Sequence, residues 1–168
     1  TKDLLPQQWA DTQNNLGTVL LDHGIRTSGE PGNRLLTEAV TAFRAALTVK
    51  TKNLLPQGWA GAQNNLGNVL RELSIRTDGE IGNRLLAEAV SAFRAALTVQ
   101  TKDLLPQDWA DTQNNFGNAL TEQGTRTGGE AGNDLLAEAA AAYRAALTVR
   151  TKDLLPQQWA DTQNNLGT

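Results

Sequence analysis

Trp9, Trp59, Trp109 and Trp159 open the same run at a fixed spacing of fifty residues, reading W-A-D-T-Q-N-N-L-G in the first copy and again in the last. Residues 1–50 and 51–100 differ at 14 positions, and residues 1–18 recur unchanged as 151–168. A period of this size means small units that each bury an apolar face only against a neighbour. The chain therefore reads as one array over 1–168, with repeats at 1–50, 51–100 and 101–150 and a partial, capping repeat at 151–168. It starts on a threonine and stops partway through the fourth unit, which reads as a piece of a longer protein.

Within a unit, Pro6 suits the first turn of a helix, where its missing N–H leaves no bond unmade and its fixed φ is already helical. Trp9, Gln13, Leu16 and Leu20 then fall at i, i+4, i+7 and i+11, an apolar stripe broken by one amide. Gly24 is expected to end this helix A in a left-handed conformation, giving bounds of about 6 to 23. Residues 25–32, with two glycines and a proline, read as a loop. Asn33 is the expected N-cap of a helix B. In helix B, Leu36, Ala39, Val40, Phe43, Ala46 and Leu47 make one stripe, and Leu35, Ala42 and Val49 a second beside it, so the helix should touch two neighbours. Residues 48–55 return the chain, with Leu54 and Leu55 expected over the helix ends. The fold class is thus all-α, a solenoid of stacked antiparallel helix pairs with seven helices, the last acting as a lid on the third helix B.

Leu16-Gly17, Leu20, Gly24, Ala39, Phe43 and Ala46 match, in order, the pattern of tetratricopeptide repeats. The unit resembles a tetratricopeptide repeat enlarged by ten residues after Gly24 and about six around residues 51–55. It is similar to the longer repeats of kinesin light chains and to arrays in bacterial signalling proteins carrying P-x2-W-A-x-T-Q-x-N-L-G. The resemblance implies a right-handed superhelix whose A helices line the concave surface, and a role as an adaptor whose ligand differs from one member to the next.

Several function classes lack their parts. A net charge of -3 and a pI near 5.1 argue against nucleic acid as a partner, which requires a basic surface. No apolar run approaches the roughly 20 residues of a bilayer span, so no membrane is expected. The chain reads as soluble, with the cytoplasm as the default location. It has no cysteine and one histidine, His23, replaced by Leu73 and Gln123 in the other copies. Neither a catalytic triad nor a metal site can be assembled from these, so no enzyme and no cofactor are expected. The glycines of G-E-P-G-N lack the Lys-Ser/Thr ending of a phosphate loop.

The recurrent polar residues carry more information. Gln13, Asn14 and Asn15 return in every copy, although asparagine is a poor residue for a helix interior. Gln13 is expected to bond to a neighbouring helix or loop. By the resemblance, Asn14, Asn64 and Asn114, with Thr18, Asn68 and Asn118 one turn on, face the groove, where such amides pair with the N–H and C=O of an extended peptide. For Asn15, Asn65 and Asn115, packing and ligand contact both stay open. By the resemblance, relatives that grip a C-terminal carboxylate carry a basic residue on this face, where this chain has Asp11, Gly61, Asp111 and Asn14. Asp11, Asp22, Glu72, Asp111, Glu122 and Asp161 all fall on A helices, so the expected ligand is neutral or basic. Arg26 is expected to pair with Glu30 or to cap the end of helix A. Lys2 and its copies read as solvated charges, and Trp9 and its copies as packing residues. The leading expectation is a non-catalytic scaffold that holds a peptide or protein segment on the concave A-helix face. The alternative is a structural spacer or a rod that self-associates head to tail through end surfaces resembling internal junctions.

Overall fold

A computed structural model describes residues 2–167, which are all-α. Seven helices lie among the described residues: α1 (Pro6–Arg26), α2 (Gly29–Leu47), α3 (Pro56–Ile75), α4 (Gly79–Leu97), α5 (Pro106–Thr127), α6 (Gly129–Leu147) and α7 (Pro156–Gly167). Odd-numbered helices are the A helices of the repeat and even-numbered ones the B helices. The chain divides into two compact units, Thr1–Ala92 and Phe93–Thr168, and the division falls inside α4. In the first unit α1 packs on α2, α2 on α3 and α3 on the start of α4; in the second, α5 packs on α6 and α6 on α7.

The A helices start at Pro6, Pro56, Pro106 and Pro156, as their fixed φ dictates. No side chain caps α1, α3 or α5; the preceding leucine carbonyl instead receives the tryptophan N–H, as in Trp59 N to Leu55 O at 2.8 Å. The turn before α3 is closed by Thr51, whose carbonyl accepts from Leu55 N at 2.9 Å and whose Oγ1 accepts from Leu54 N at 3.3 Å. Leu54 does not tuck over a helix end, being 74% exposed, while Leu55 is half-buried.

Two expected boundaries move. Helix α1 runs through Gly24 to Arg26, and α2 already begins at Gly29, so the interhelical loop shrinks to Thr27 and Ser28. Asn33 lies inside α2 and is not its cap. Gly24 serves close approach and not termination: a Cβ there would lie 2.8 Å from the Leu36 side chain. Gly17 does the same for Phe43, whose ring would lie 2.8 Å from an added Cβ. The left-handed turn falls instead on Gly29, at φ 69°, where glycine carries no Cβ penalty.

These glycines seat the core. Leu36, Ala39, Phe43 and Ala46 of α2 and Ala10 of α1 are fully buried. Burial of Phe43 alone removes enough apolar surface to contribute about 2 to 3 kcal/mol. Helix α3 buries a second stripe, Ala62, Leu66, Val69 and Leu73, spaced at i, i+4, i+7 and i+11 on its way past α2. Its counterparts on α1, Thr12, Leu16, Val19 and His23, are exposed.

The tryptophans are half-buried, not fully enclosed. The lysine of the same repeat covers the indole: Lys2, Lys52 and Lys152 Nζ lie 5.2, 5.7 and 5.9 Å from the ring centres of Trp9, Trp59 and Trp159. These lysines are therefore cation–π partners and not simply solvated charges. Arg76 also departs from expectation. Its guanidinium pairs with Glu72 and donates to Thr27 O at 2.9 Å and Ile25 O at 3.1 Å, so it caps the A helix of the preceding repeat.

Candidate functional site

The amide-rich stripe of the A helices divides into residues engaged in packing and residues left open. Asn114 is 8% exposed, and its Oδ1 accepts from Thr162 Oγ1 at 3.0 Å and from Asn165 Nδ2 at 3.3 Å, both on α7. The side chain at this position thus points toward the next A helix. Asn14, in the first unit, is half-buried and its Oδ1 is enclosed without a hydrogen-bond partner. The counterpart of Thr112 and Thr162 in the second repeat is Ala62, which has no hydroxyl to offer, and that accounts for the orphaned oxygen. Asn64 is half-buried and engaged as well.

One turn on, the residues differ. Thr18 is exposed, with its Oγ1 donating back to Asn14 O at 3.1 Å, and Asn68 is half-exposed. Asn118 Oδ1 accepts from the Tyr143 hydroxyl at 2.9 Å, a bond available because Tyr143 stands where the earlier repeats carry Phe43 and Phe93. Asn15 is exposed, whereas Asn65 and Asn115 are half-buried and Asn115 is engaged. Thr18 and Asn15 are therefore the most accessible of the nine.

The site residues that sequence reasoning missed sit at the last position of each repeat. Lys50, Gln100 and Arg150 are buried, at 9, 4 and 7% exposure. Lys50 Nζ lies 2.8 Å from Asp11 Oδ1. Gln100 Oε1 accepts from Thr112 Oγ1 at 2.7 Å. Arg150 donates to Asp111 Oδ1 at 2.7 Å and to Thr162 Oγ1 at 2.8 Å. A buried cation must be paired, and the sequence carried the signal: an aspartate stands at position 11 or 111 in the repeats that end in Lys50 or Arg150, and Gly61 in the repeat that ends in neutral Gln100.

Between α1 and α3 this network floors a cavity of about 330 Å³, lined by Gln7, Asp11, Lys50, Leu55, Gln57 and Gly58 among others. An equivalent but smaller cavity, of about 230 Å³, is lined by Leu104, Leu105, Pro106, Gln107 and Asp108 in the third repeat, so the space is wider where Gly58 stands than where Asp108 does. A Cβ at Gly58 would lie 3.4 Å from Lys50 Cδ, so any longer side chain there enters the cavity mouth. Another cavity, of about 350 Å³, lies on the other side of the first unit between α2, α3 and α4, with Val40, Leu70, Leu73 and Leu85 in its wall.

Acids outnumber bases along the A helices, but several are matched. Besides Asp11 and Asp111, Glu72 pairs with Arg76 and Glu122 with Arg126, at 2.9 and 2.7 Å. The surface is less acidic than a count of its carboxylates suggests. In the pair at the first cavity the carboxylate is the accessible member, with the Asp11 side chain 63% exposed and that of Lys50 11%.

Among the described residues no cluster of three or more histidine, aspartate and glutamate side chains is placed to hold a metal ion, and no helix is long and apolar enough to cross a membrane. Comparison with family models, with curated protein sequences and with solved structures found no match.

Proposed function

We propose that the chain is a non-catalytic interaction scaffold of the tetratricopeptide type, which holds an extended peptide or protein segment along its A helices. The observation that carries this reading is the cavity between α1 and α3, which is wider at Gly58 than its counterpart at Asp108. Leu54, Leu55 and Pro56 give it an apolar wall, and Gln7 and Gln57 bring amides to it, the mixture that seats a side chain while bonding the peptide backbone beside it. Thr18 and Asn68 continue the polar surface away from the cavity. With Asp11 as the exposed charge, the segment is neutral or basic.

Gly58→Gln tests the reading, since it restores the residue of the first and last repeats and fills the cavity. Fluorescence anisotropy against an extended-peptide library should show binders to the wild-type chain that lose about tenfold or more in affinity with this change, about the 1.4 kcal/mol of one buried side-chain contact. The thermal melt should hold steady. A library that yields no binder, or binders indifferent to Gly58→Gln, overturns the proposal.

A further inference from the structure

The cavity between α2, α3 and α4 shares no residue with the one at Gly58, and its wall is of another kind. Val40, Leu70 and Leu73 line it and are buried, Leu85 is half-buried, and Ile81, 57% exposed, reaches its mouth. These five side chains come from three helices whose apolar stripes do not close on one another here, which leaves the space of about 350 Å³. A dry cavity of about 150 Å³ already holds benzene, so this one has room for a body of two fused rings.

Asn33 also lines this cavity, and its Oδ1 is enclosed without a hydrogen-bond partner. The Thr37 hydroxyl in the same wall does not serve that oxygen, because it donates to the Asn33 backbone carbonyl at 2.8 Å. A buried acceptor left without a donor costs stability. A molecule that brings an N–H or O–H to it relieves a penalty the chain carries on its own. The oxygen turns to meet such a donor by rotation of the amide about χ2, a broad and soft torsion.

The wall offers no net charge. Arg44 is its charged residue, and the guanidinium is held by Glu88 at 2.6 Å, which leaves a neutral pair at the rim. An ion entering between Val40, Leu70 and Leu73 would shed its water with no free countercharge to meet it. The set of residues is also particular to this place in the sequence. Where it has Thr37, Leu73 and Ile81, the residues fifty further on are Ala87, Gln123 and Ala131.

We infer that this cavity binds a small uncharged molecule with an apolar body of about two rings and a single N–H or O–H donor. The body displaces water from Val40, Leu70, Leu73, Ile81 and Leu85, and the donor bonds to Asn33 Oδ1, the pairing of an apolar pocket with one orienting polar group. Because no residue lines both cavities, this site is filled or blocked without the peptide site.

Titration of the full chain with indole, followed by saturation-transfer NMR, tests this. A dissociation constant of about 0.1 to 1 mM is expected for a ligand of this size. N-methylindole keeps the rings and loses the donor, and should bind about tenfold more weakly. Asn33→Leu puts apolar surface in place of the unpaired oxygen, so it should keep the helical signal and bring the two probes to equal affinity. Ile81→Ala, an exposed change to the residue of the third repeat, should weaken both probes by about three- to tenfold through lost apolar contact. Gly58→Gln should leave indole binding as it was, which separates failure here from failure of the peptide site. No saturable binding of indole, equal binding of the two probes to the wild-type chain, or a preference for indole that persists in Asn33→Leu would overturn the inference.

Discussion

Asp11 Oδ1 lies 2.8 Å from Lys50 Nζ, joining the helix that opens the first repeat to the residue that closes it. The lysine is desolvated and the aspartate is not, so the pair is asymmetric: the carboxylate keeps most of its hydration while the ammonium depends on it. Asp11→Ala should therefore lower stability by about 1 kcal/mol, as for a partly exposed pair. Lys50→Gln should cost less because it leaves no buried charge unpaired, although Ala62 lacks the hydroxyl that Thr112 gives Gln100. Chemical denaturation of the two variants checks the order. An Asp11→Ala chain as stable as wild type would mean that Lys50 reaches water without its partner.

The same substitution in two repeats should have different effects. Asn114→Ala removes an acceptor that serves Thr162 and Asn165, and should destabilise by about 1 kcal/mol. Asn14→Ala removes an enclosed oxygen that has no donor, and should be neutral or stabilising. The converse repair is Ala62→Thr, which places a hydroxyl where Thr162 serves Asn114; it should raise stability by up to about 1 kcal/mol. Melting temperatures decide, and equal losses for the two asparagine changes would refute the assignment of the orphaned Asn14 oxygen.

Two glycines on neighbouring repeats separate steric need from mere permissiveness. Gly17→Ala drives a methyl to within 2.8 Å of the Phe43 ring and should destabilise by about 1 to 3 kcal/mol, as overpacked sites do. Gly61→Ala meets nothing within 4 Å in the middle of α3 and should stabilise by about 0.5 to 1 kcal/mol through helix propensity. Opposite signs in denaturant unfolding are the expected outcome. A stabilising Gly17→Ala would show that α1 and α2 have room to separate.

What the sequence made legible was whatever depends on local geometry. Pro6 and its copies mark the starts of the A helices, and the stripes through Phe43 and Leu36 mark the buried face of helix B, because both follow from a fixed φ and a 3.6-residue period. The misread residues are those whose role depends on a neighbour. Gly24 looks like a helix stop in isolation and becomes a seat for Leu36 only once α2 crosses it. Lys2 reads as a solvated charge until the placement of its ammonium over the Trp9 ring shows the partner. Asn14 is aimed by helix phase toward both the open surface and the next A helix, and only the placement of Thr162 beside Asn114 shows which way the amide turns. The paired variation of positions 11 and 50 was visible all along, as a correlation without a geometry.

The last prediction concerns the charge of the bound segment. At the cavity between α1 and α3 the accessible charge is Asp11, while Lys50 lies beneath it with its ammonium already engaged. A peptide approaching this site meets a carboxylate first, so a basic residue beside the inserted side chain should speed association and an acidic one should slow it. The advantage should shrink as salt rises, because the Debye length falls from about 30 Å at 0.01 M to about 8 Å at physiological ionic strength. Asp11→Asn should reduce the discrimination between basic and acidic peptides, and Gly58→Gln should weaken both alike by closing the cavity. Stopped-flow anisotropy at two salt concentrations measures the on-rates. If acidic peptides associate faster than basic ones at low salt, Lys50 and not Asp11 governs the site, and the guest carries a carboxylate.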